Sequence, residues 1–291
     1  MTQEEVLNKA WVETINTLQK DKWTNLAGIK RTLDGLATEL KGMVTKVVNA
    51  TQATEYERFT ELAQLIYNIK DFATKAGLTL SAEIEETIAD AYKTSYYRTA
   101  WQLDNATPNN VEIVFGKLSD LQVRAAILTP FQGGMFSDRL FQISNQMAYN
   151  IQEEVTKGII IGRPIGDTAD EIYDLFGKEG EGYQWRAELI ARTETIRARE
   201  IARQSLFDDN RNLIENEEWI NMESACDECQ DLADEFNAGN HDLQPILDSH
   251  PNCVCTIRAI MKDWKELGGS SDEEPDLMDY EDWVQEKGID E

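Results

Sequence analysis

Apolar residues recur at steps of three and four through most of the first hundred positions, the spacing of one face of an α-helix. Thr2 and Glu5 have the spacing of a capping box, in which each side chain satisfies a free N–H of the first turn, and Leu7, Trp11, Ile15 and Leu18 follow as a helical stripe. Leu26, Ile29, Leu33, Leu36, Leu40, Met43 and Val47 form a narrow second stripe, the pattern of a coiled-coil seam or an antiparallel bundle. Phe59, Leu62, Ile66, Ile69 and Ala73 repeat it, and Ile84, Ile88, Ala91, Tyr92 and Trp101 make a fourth, less regular set. No proline precedes Pro108. The pattern predicts an N-terminal bundle of about four helices over residues 1–106.

The turn-rich stretch DNATPNN (104–110) ends that pattern. A short helix is expected over 118–128, then a glycine loop at 129–135. Ser137 is placed to cap a helix over 138–160 that carries Leu140, Ile143, Met147, Ile151 and Val155. After the turn GRPIGD, Thr168 and Glu171 read as a second capping box, and a helix over 183–207 follows a loop at 177–182. The character then changes. Residues 217–222 suit a short strand, CDECQDLADEF a turn entering a short helix, and HPNCVCTIRAIM ends in the alternation of a second strand. The expected fold is mainly α, with a helical core over 107–262, a small two-stranded β element at 217–261, and an acidic, flexible tail over 263–291.

Charge narrows the function. The chain of 291 residues carries 54 acids against 28 bases, a formal net charge of −26. That balance argues against strong nucleic-acid binding, which needs clustered Lys and Arg, and against binding an anionic membrane surface. No run of about 18 apolar residues exists. The start MTQEEVLNKAW lacks the apolar centre of a secretory signal, so folding in a reducing compartment is expected, where cysteines serve as thiols or metal ligands.

All four cysteines and both histidines fall between 226 and 255. The pattern Cys226-x-x-Cys229 … His250-x-x-Cys253-x-Cys255 offers thiolate sulfur and imidazole nitrogen, the donors zinc takes in a tetrahedron. Five donors compete for four positions. Cys226, Cys229 and His250 belong in the set, and the fourth place is open between Cys253 and Cys255. Thiolates fill the site, so a structural zinc is expected and no catalytic residue is assigned. The zinc deaminase order, H-x-E before P-C-x-x-C, is absent. The alternative is a zinc-dependent nuclease or toxin-like enzyme, for which His241-Asp242 is the one sequence hint.

Several pieces recur in order: Ser137-Asp138-Arg139 opening a long helix, the turn Gly162-Arg163-Pro164-Ile165, Ala191-Arg192-Thr193-Glu194 within a helix, Trp219, Cys226-x-x-Cys229, and His250-Pro251-Asn252-Cys253-Val254-Cys255. Together they resemble the phage head morphogenesis family, the Mu F-like minor head proteins, over about residues 118–262. Val254 departs from the basic residue usual in the family. The resemblance implies a virion protein made in the cytoplasm of an infected bacterium and built into the capsid interior at the portal vertex. Its implied partners are the portal protein and other capsid or scaffold proteins, and its role is head assembly or DNA delivery. Arg192, Glu194 and Trp219 are the family's structural motif positions.

Arg192 and Glu194 sit two apart on a helix and so point in different directions, which favours separate structural ion pairs. Arg186, Arg192, Arg197, Arg199 and Arg203 alternate with Glu188, Glu194 and Glu200, the pattern of a solvated, ion-paired helix. Residues 271–291 hold ten acids and one base, interrupted by Leu277, Met278, Tyr280, Trp283 and Val284. Such a segment suits solvated disorder, or docking into a basic groove on a partner. An acidic decoy for a nucleic-acid-binding protein is a third reading.

Overall fold

The computed structural model describes residues 1–49, 55–128, 134–161, 163–178, 182–222, 225–243, 248–270 and 275–289, less the side chains of 18–25, 47–49, 55–59, 61–62, 159 and 165. The fold is mainly helical with one small antiparallel sheet. In chain order come α1 (Gln3–Asn49), α2 (Glu55–Asn105), α3 (Asp120–Ile127), α4 (Phe136–Ile161), α5 (Ile165–Gly177), α6 (Tyr183–Asp209), β1 (Ile214–Ile220), α7 (Asp227–Asn237), β2 (Thr256–Met261) and α8 (Tyr280–Lys287).

Two long helices stand where about four were expected. With no proline in the span, a gap in an apolar stripe rotates the buried face without ending the helix. The first capping box is present: Glu5 N–H donates to Thr2 Oγ1 at 3.2 Å and Thr2 N–H to Glu5 Oε2 at 2.9 Å. Two other expected caps are displaced. α4 begins at Phe136, so Ser137 lies inside its first turn. α5 begins at Ile165 behind Pro164, and the Thr168 hydroxyl donates back to Pro164 O at 3.3 Å. Pro164 occupies the N-cap, with φ of −53° and ψ of 140°, so Thr168 falls inside the helix. The glycine loop at 129–133 and the residues 179–181 lie outside the described residues.

The chain packs into two compact units, each discontinuous in sequence: Met1–Trp23, Thr87–Thr129 and Thr193–Glu291 form one, Thr24–Glu86 and Pro130–Arg192 the other. The boundary expected at 106/107 therefore falls inside the first unit. In the second unit the predicted stripe buries Ile29, Leu33, Leu36 and Leu40 of α1 with Leu65, Ile69, Phe72 and Leu80 of α2, Leu140, Met147, Ile151 and Val155 of α4, and Phe176 of α5. Phe176 bridges Phe72 and Tyr183, at ring separations of 6.5 and 5.4 Å. α4 and α5 approach closely at Gly158, where an added Cβ would meet Thr168 Oγ1 at 2.6 Å.

In the first unit β1 and β2 pair antiparallel, with Trp219 opposite Ile257 and an irregularity between Ile214 and Asn216. The Asn210 side chain, just past α6, clasps the extended segment before α3: Val114 N–H donates to its Oδ1 at 2.7 Å and its Nδ2 donates to Val114 O at 2.8 Å. The described part of the acidic tail is folded, against the expectation of flexibility. Tyr280 and Trp283 are buried. Trp101 Nε1 donates to Met278 O at 2.8 Å, Trp283 Nε1 donates to Asp104 Oδ2 at 2.7 Å, and the Arg98 guanidinium lies 4.0 Å from the centre of the Tyr280 ring. The aromatics interrupting the acids supply the apolar area that offsets the entropy of ordering.

Candidate metal centre

β1 and β2 frame the cluster, and α7 enters it. Cys226 occupies the N-cap of α7 in an extended conformation, which leaves its thiol exposed at the helix N-terminus. Cys229 lies one turn on, in the buried face with Ala233 and Phe236. The far end of α7 is pinned by Asn237, whose Oδ1 accepts from Trp219 N–H at 2.8 Å and whose Nδ2 donates to Trp219 O at 3.1 Å. Trp219 is itself buried and packs edge-on against Phe236 at 5.9 Å. Trp219 therefore ties the strand to the helix that carries the two cysteines.

The second half of the cluster comes from the turn before β2. Cys253 N–H donates to His250 O at 3.2 Å, and Asn252 adopts the left-handed conformation with φ of 65°. The turn aims His250 Nε2 at both N-terminal thiols, 3.1 Å from Cys226 Sγ and 3.2 Å from Cys229 Sγ. Nδ1 lies 2.8 Å from Pro251 O. A proton on Nδ1 donated to that carbonyl leaves the Nε2 lone pair facing the sulfurs, the usual arrangement of a metal-binding histidine.

Cys229 Sγ and Cys253 Sγ are 3.5 Å apart. Two overlapping groups, Cys226–Cys229–His250 and Cys229–Cys253–Cys255, each have all ligand atoms within 4.8 Å of one another and could hold a metal ion. Cys229 belongs to both. Cys253 and Cys255 thus face the same side, as expected from their period-two spacing. Cys255 has a competing partner in Asn221, to whose Oδ1 its thiol donates at 3.3 Å.

The thiols differ in acidity. A hydrogen bond from the Cys229 N–H at the helix N-terminus lowers Cys226. Burial pushes Cys229 up to about 12. Hydrogen bonding from Cys255 pulls Cys253 down to about 5, and the same bond pushes Cys255 up. The hydrogen bond to Pro251 raises His250.

Arg192 and Glu194 each end in an ion pair: Arg192 Nη2 with Glu188 at 3.4 Å, and Glu194 with Arg197 Nη1 at 2.9 Å. The solvated helix expected over 186–203 is instead buried along much of its length. Glu194, Arg197, Arg199, Glu200 and Arg203 are all buried; β2 covers Glu200 and Arg203, and Ser95 of α2 donates to Arg199 O at 2.8 Å. Glu200 accepts from Arg203 at 2.7 Å and from the Thr256 hydroxyl at 2.8 Å, and burial raises its pKa. Beside it, a cavity of about 860 Å³ is lined by Glu200, Gln204, Glu217, Phe236 and His241. His241 sits edge-on to Phe236 at 4.8 Å and belongs to neither metal group.

Sequence reasoning passed over three asparagines that shape the site. Asn252 follows Pro251 in a turn and tolerates φ > 0; Asn221 and Asn237 carried no local signal. Compared with known protein families, with curated proteins and with solved structures, the chain matches none. Among the described residues no helix is long and apolar enough to cross a membrane.

Proposed function

We propose that the chain is a structural head morphogenesis protein of a tailed phage, docking at the portal vertex, and that a single zinc ion braces its C-terminal module. Cys226, Cys229, His250 and Cys253 are the ligands. Three thiolates and an imidazole are a typical structural zinc donor set. A tetrahedral zinc sets its donors about 3.5–3.8 Å apart, and the observed separations of 3.1, 3.2 and 3.5 Å are within a few tenths of that. Cys255 is the fifth donor left over, held by Asn221 and handing its backbone N–H to Cys253 Sγ at 3.4 Å. Zinc, when bound, holds α7 and the turn before β2 together and keeps the thiolates ionised.

One observation carries the structural reading: Cys226, Cys229 and His250 converge from α7 and the turn before β2, with Cys253 Sγ 3.5 Å from Cys229 Sγ to supply a fourth donor, and a catalytic zinc would keep one place for water. His241, the hint for a nuclease, lies outside that convergence. The virion reading is supported by the ordered motif pieces, and the portal protein is its principal partner, with capsid or scaffold proteins as further contacts. Two measurements test it together. Metal analysis of the purified chain is expected to give one zinc per chain with no cleavage of DNA, and labelling of intact particles is expected to place the chain at the portal vertex. Metal-dependent DNA cleavage abolished by His241→Ala, or absence of the chain from the particle, would overturn it.

A further inference from the structure

We propose that Thr193 is a positioning residue of the metal site, acting through the left-handed turn at Asn252; this rests on the metal reading above. Asn252 is the one non-glycine residue with positive φ among the described residues, a conformation that side chains resist and asparagine resists least. His250 and Cys253, two of the donors, flank it. Rotating this peptide out of the left-handed region would carry the imidazole away from Cys226 and Cys229, and the Cys253 sulfur away from Cys229. The Asn252 N–H, which fixes that peptide, donates to Thr193 Oγ1 at 3.0 Å.

Thr193 is well placed to fix it. It is buried on α6, next to the buried Glu194–Arg197 pair. Seven residues on, two helical turns along the same face, Glu200 grips the start of β2. Its carboxylate accepts from the Thr256 hydroxyl at 2.8 Å and from Ile257 N–H at 3.3 Å. One stripe of α6 therefore holds both flanks of Cys253-Val254-Cys255. The ligand-bearing segment is clamped to a helix that supplies no ligand, which is how outer-shell groups set ligand geometry.

The test uses the full chain and zinc, with affinity read by competition against a chromophoric chelator and site geometry read from the thiolate-to-metal absorption of the cobalt-substituted protein. Thr193→Val is expected to weaken zinc binding by roughly 10–100-fold, to speed metal release and to shift the cobalt spectrum. Thr193→Ser keeps the hydroxyl and is expected to retain the parent affinity. Asn252→Gly, which keeps both the N–H and the left-handed backbone, is expected to retain it as well, whereas Asn252→Ala is expected to lose it. The proposal is overturned if Thr193→Val binds as the parent does, if Thr193→Ser falls as far as Thr193→Val, or if Asn252→Ala matches Asn252→Gly. Should Thr193→Val fail to fold, Thr193→Ala carries the same expectation and the same refutation. A parent chain that takes up no metal sinks the underlying metal reading, a separate result.

Discussion

Replacing Trp283 by alanine should release the C-terminal segment while leaving the rest of the first unit folded. The indole is only 1% exposed. It stacks on Tyr280 at 6.2 Å, packs against Phe115 at 5.4 Å, and donates to Asp104 at 2.7 Å. Truncating a buried tryptophan costs about 3–5 kcal/mol. The lost hydrogen bond to Asp104 adds to this, and the Asp104 pairing with Lys287 Nζ at 2.8 Å goes with the segment when it detaches. Against this, ordering residues 275–289 costs roughly 1–2 kcal/mol per residue in backbone entropy, offset mainly by Trp283, Tyr280, Ile289 and their partners. A segment so finely balanced cannot absorb a loss of about 4 kcal/mol; it detaches, and the loss stops at its docking free energy. Hydrogen exchange followed by peptide mass analysis reads this directly. Amides of 280–289 should exchange at near-unprotected rates in the variant, and those of β1 and β2 should be unchanged. Equal protection of 280–289 in parent and variant would refute the reasoning.

Serine in place of Cys226, Cys229 or Cys253, or alanine in place of His250, should leave less than one zinc per chain after dialysis, whereas Cys255→Ser should keep it; elemental analysis of each variant decides between Cys253 and Cys255. Glu194→Gln should destabilise the chain by about 3 kcal/mol because it takes the paired carboxylate from a buried guanidinium, while Arg192→Gln, at a pair about one-third exposed, should cost less than about 1 kcal/mol; urea midpoints check both. Burial raises the pKa of Glu217, so the folded state keeps that proton to higher pH than the unfolded chain does. The associated stability is present below the ordinary carboxylate range and is lost as pH rises through the raised value. Glu217→Gln should flatten the stability–pH curve in that window, and an unchanged slope would dispose of the assignment.

The local features were the readable ones. Helical stripes, the Thr2–Glu5 box, the two strands and the cysteine–histidine cluster all rest on short-range spacing, and each is found in the structure. What sequence could not supply was which distant pieces meet. Nothing near Trp101 announces Met278, and the tail read as solvated because ten acids outweigh six scattered apolar side chains until their partners are known. α6 read as a wet helix for a similar reason: alternating Arg and Glu look alike whether water or a β element covers them. Ser137 and Thr168 failed as caps because each competes with a helix start that lies upstream, at Phe136 and at Ile165. The cluster told which residues could hold a metal, but ranking Cys253 above Cys255 needed the Asn221 contact with Cys255.

Gln3 near the start of α1 donates from its side chain to Ala106 O at 2.8 Å and to Lys262 O at 3.1 Å. A contact bridging more than 250 positions in the chain has a consequence for synthesis. The start of α1 must wait on the ribosome for Lys262 even after Ala106 has emerged, while the stretch 24–192 already contains everything its own unit requires. Assembly should therefore proceed from the middle outwards, and a nascent chain stalled before residue 262 should show a protease-resistant centre flanked by a vulnerable beginning.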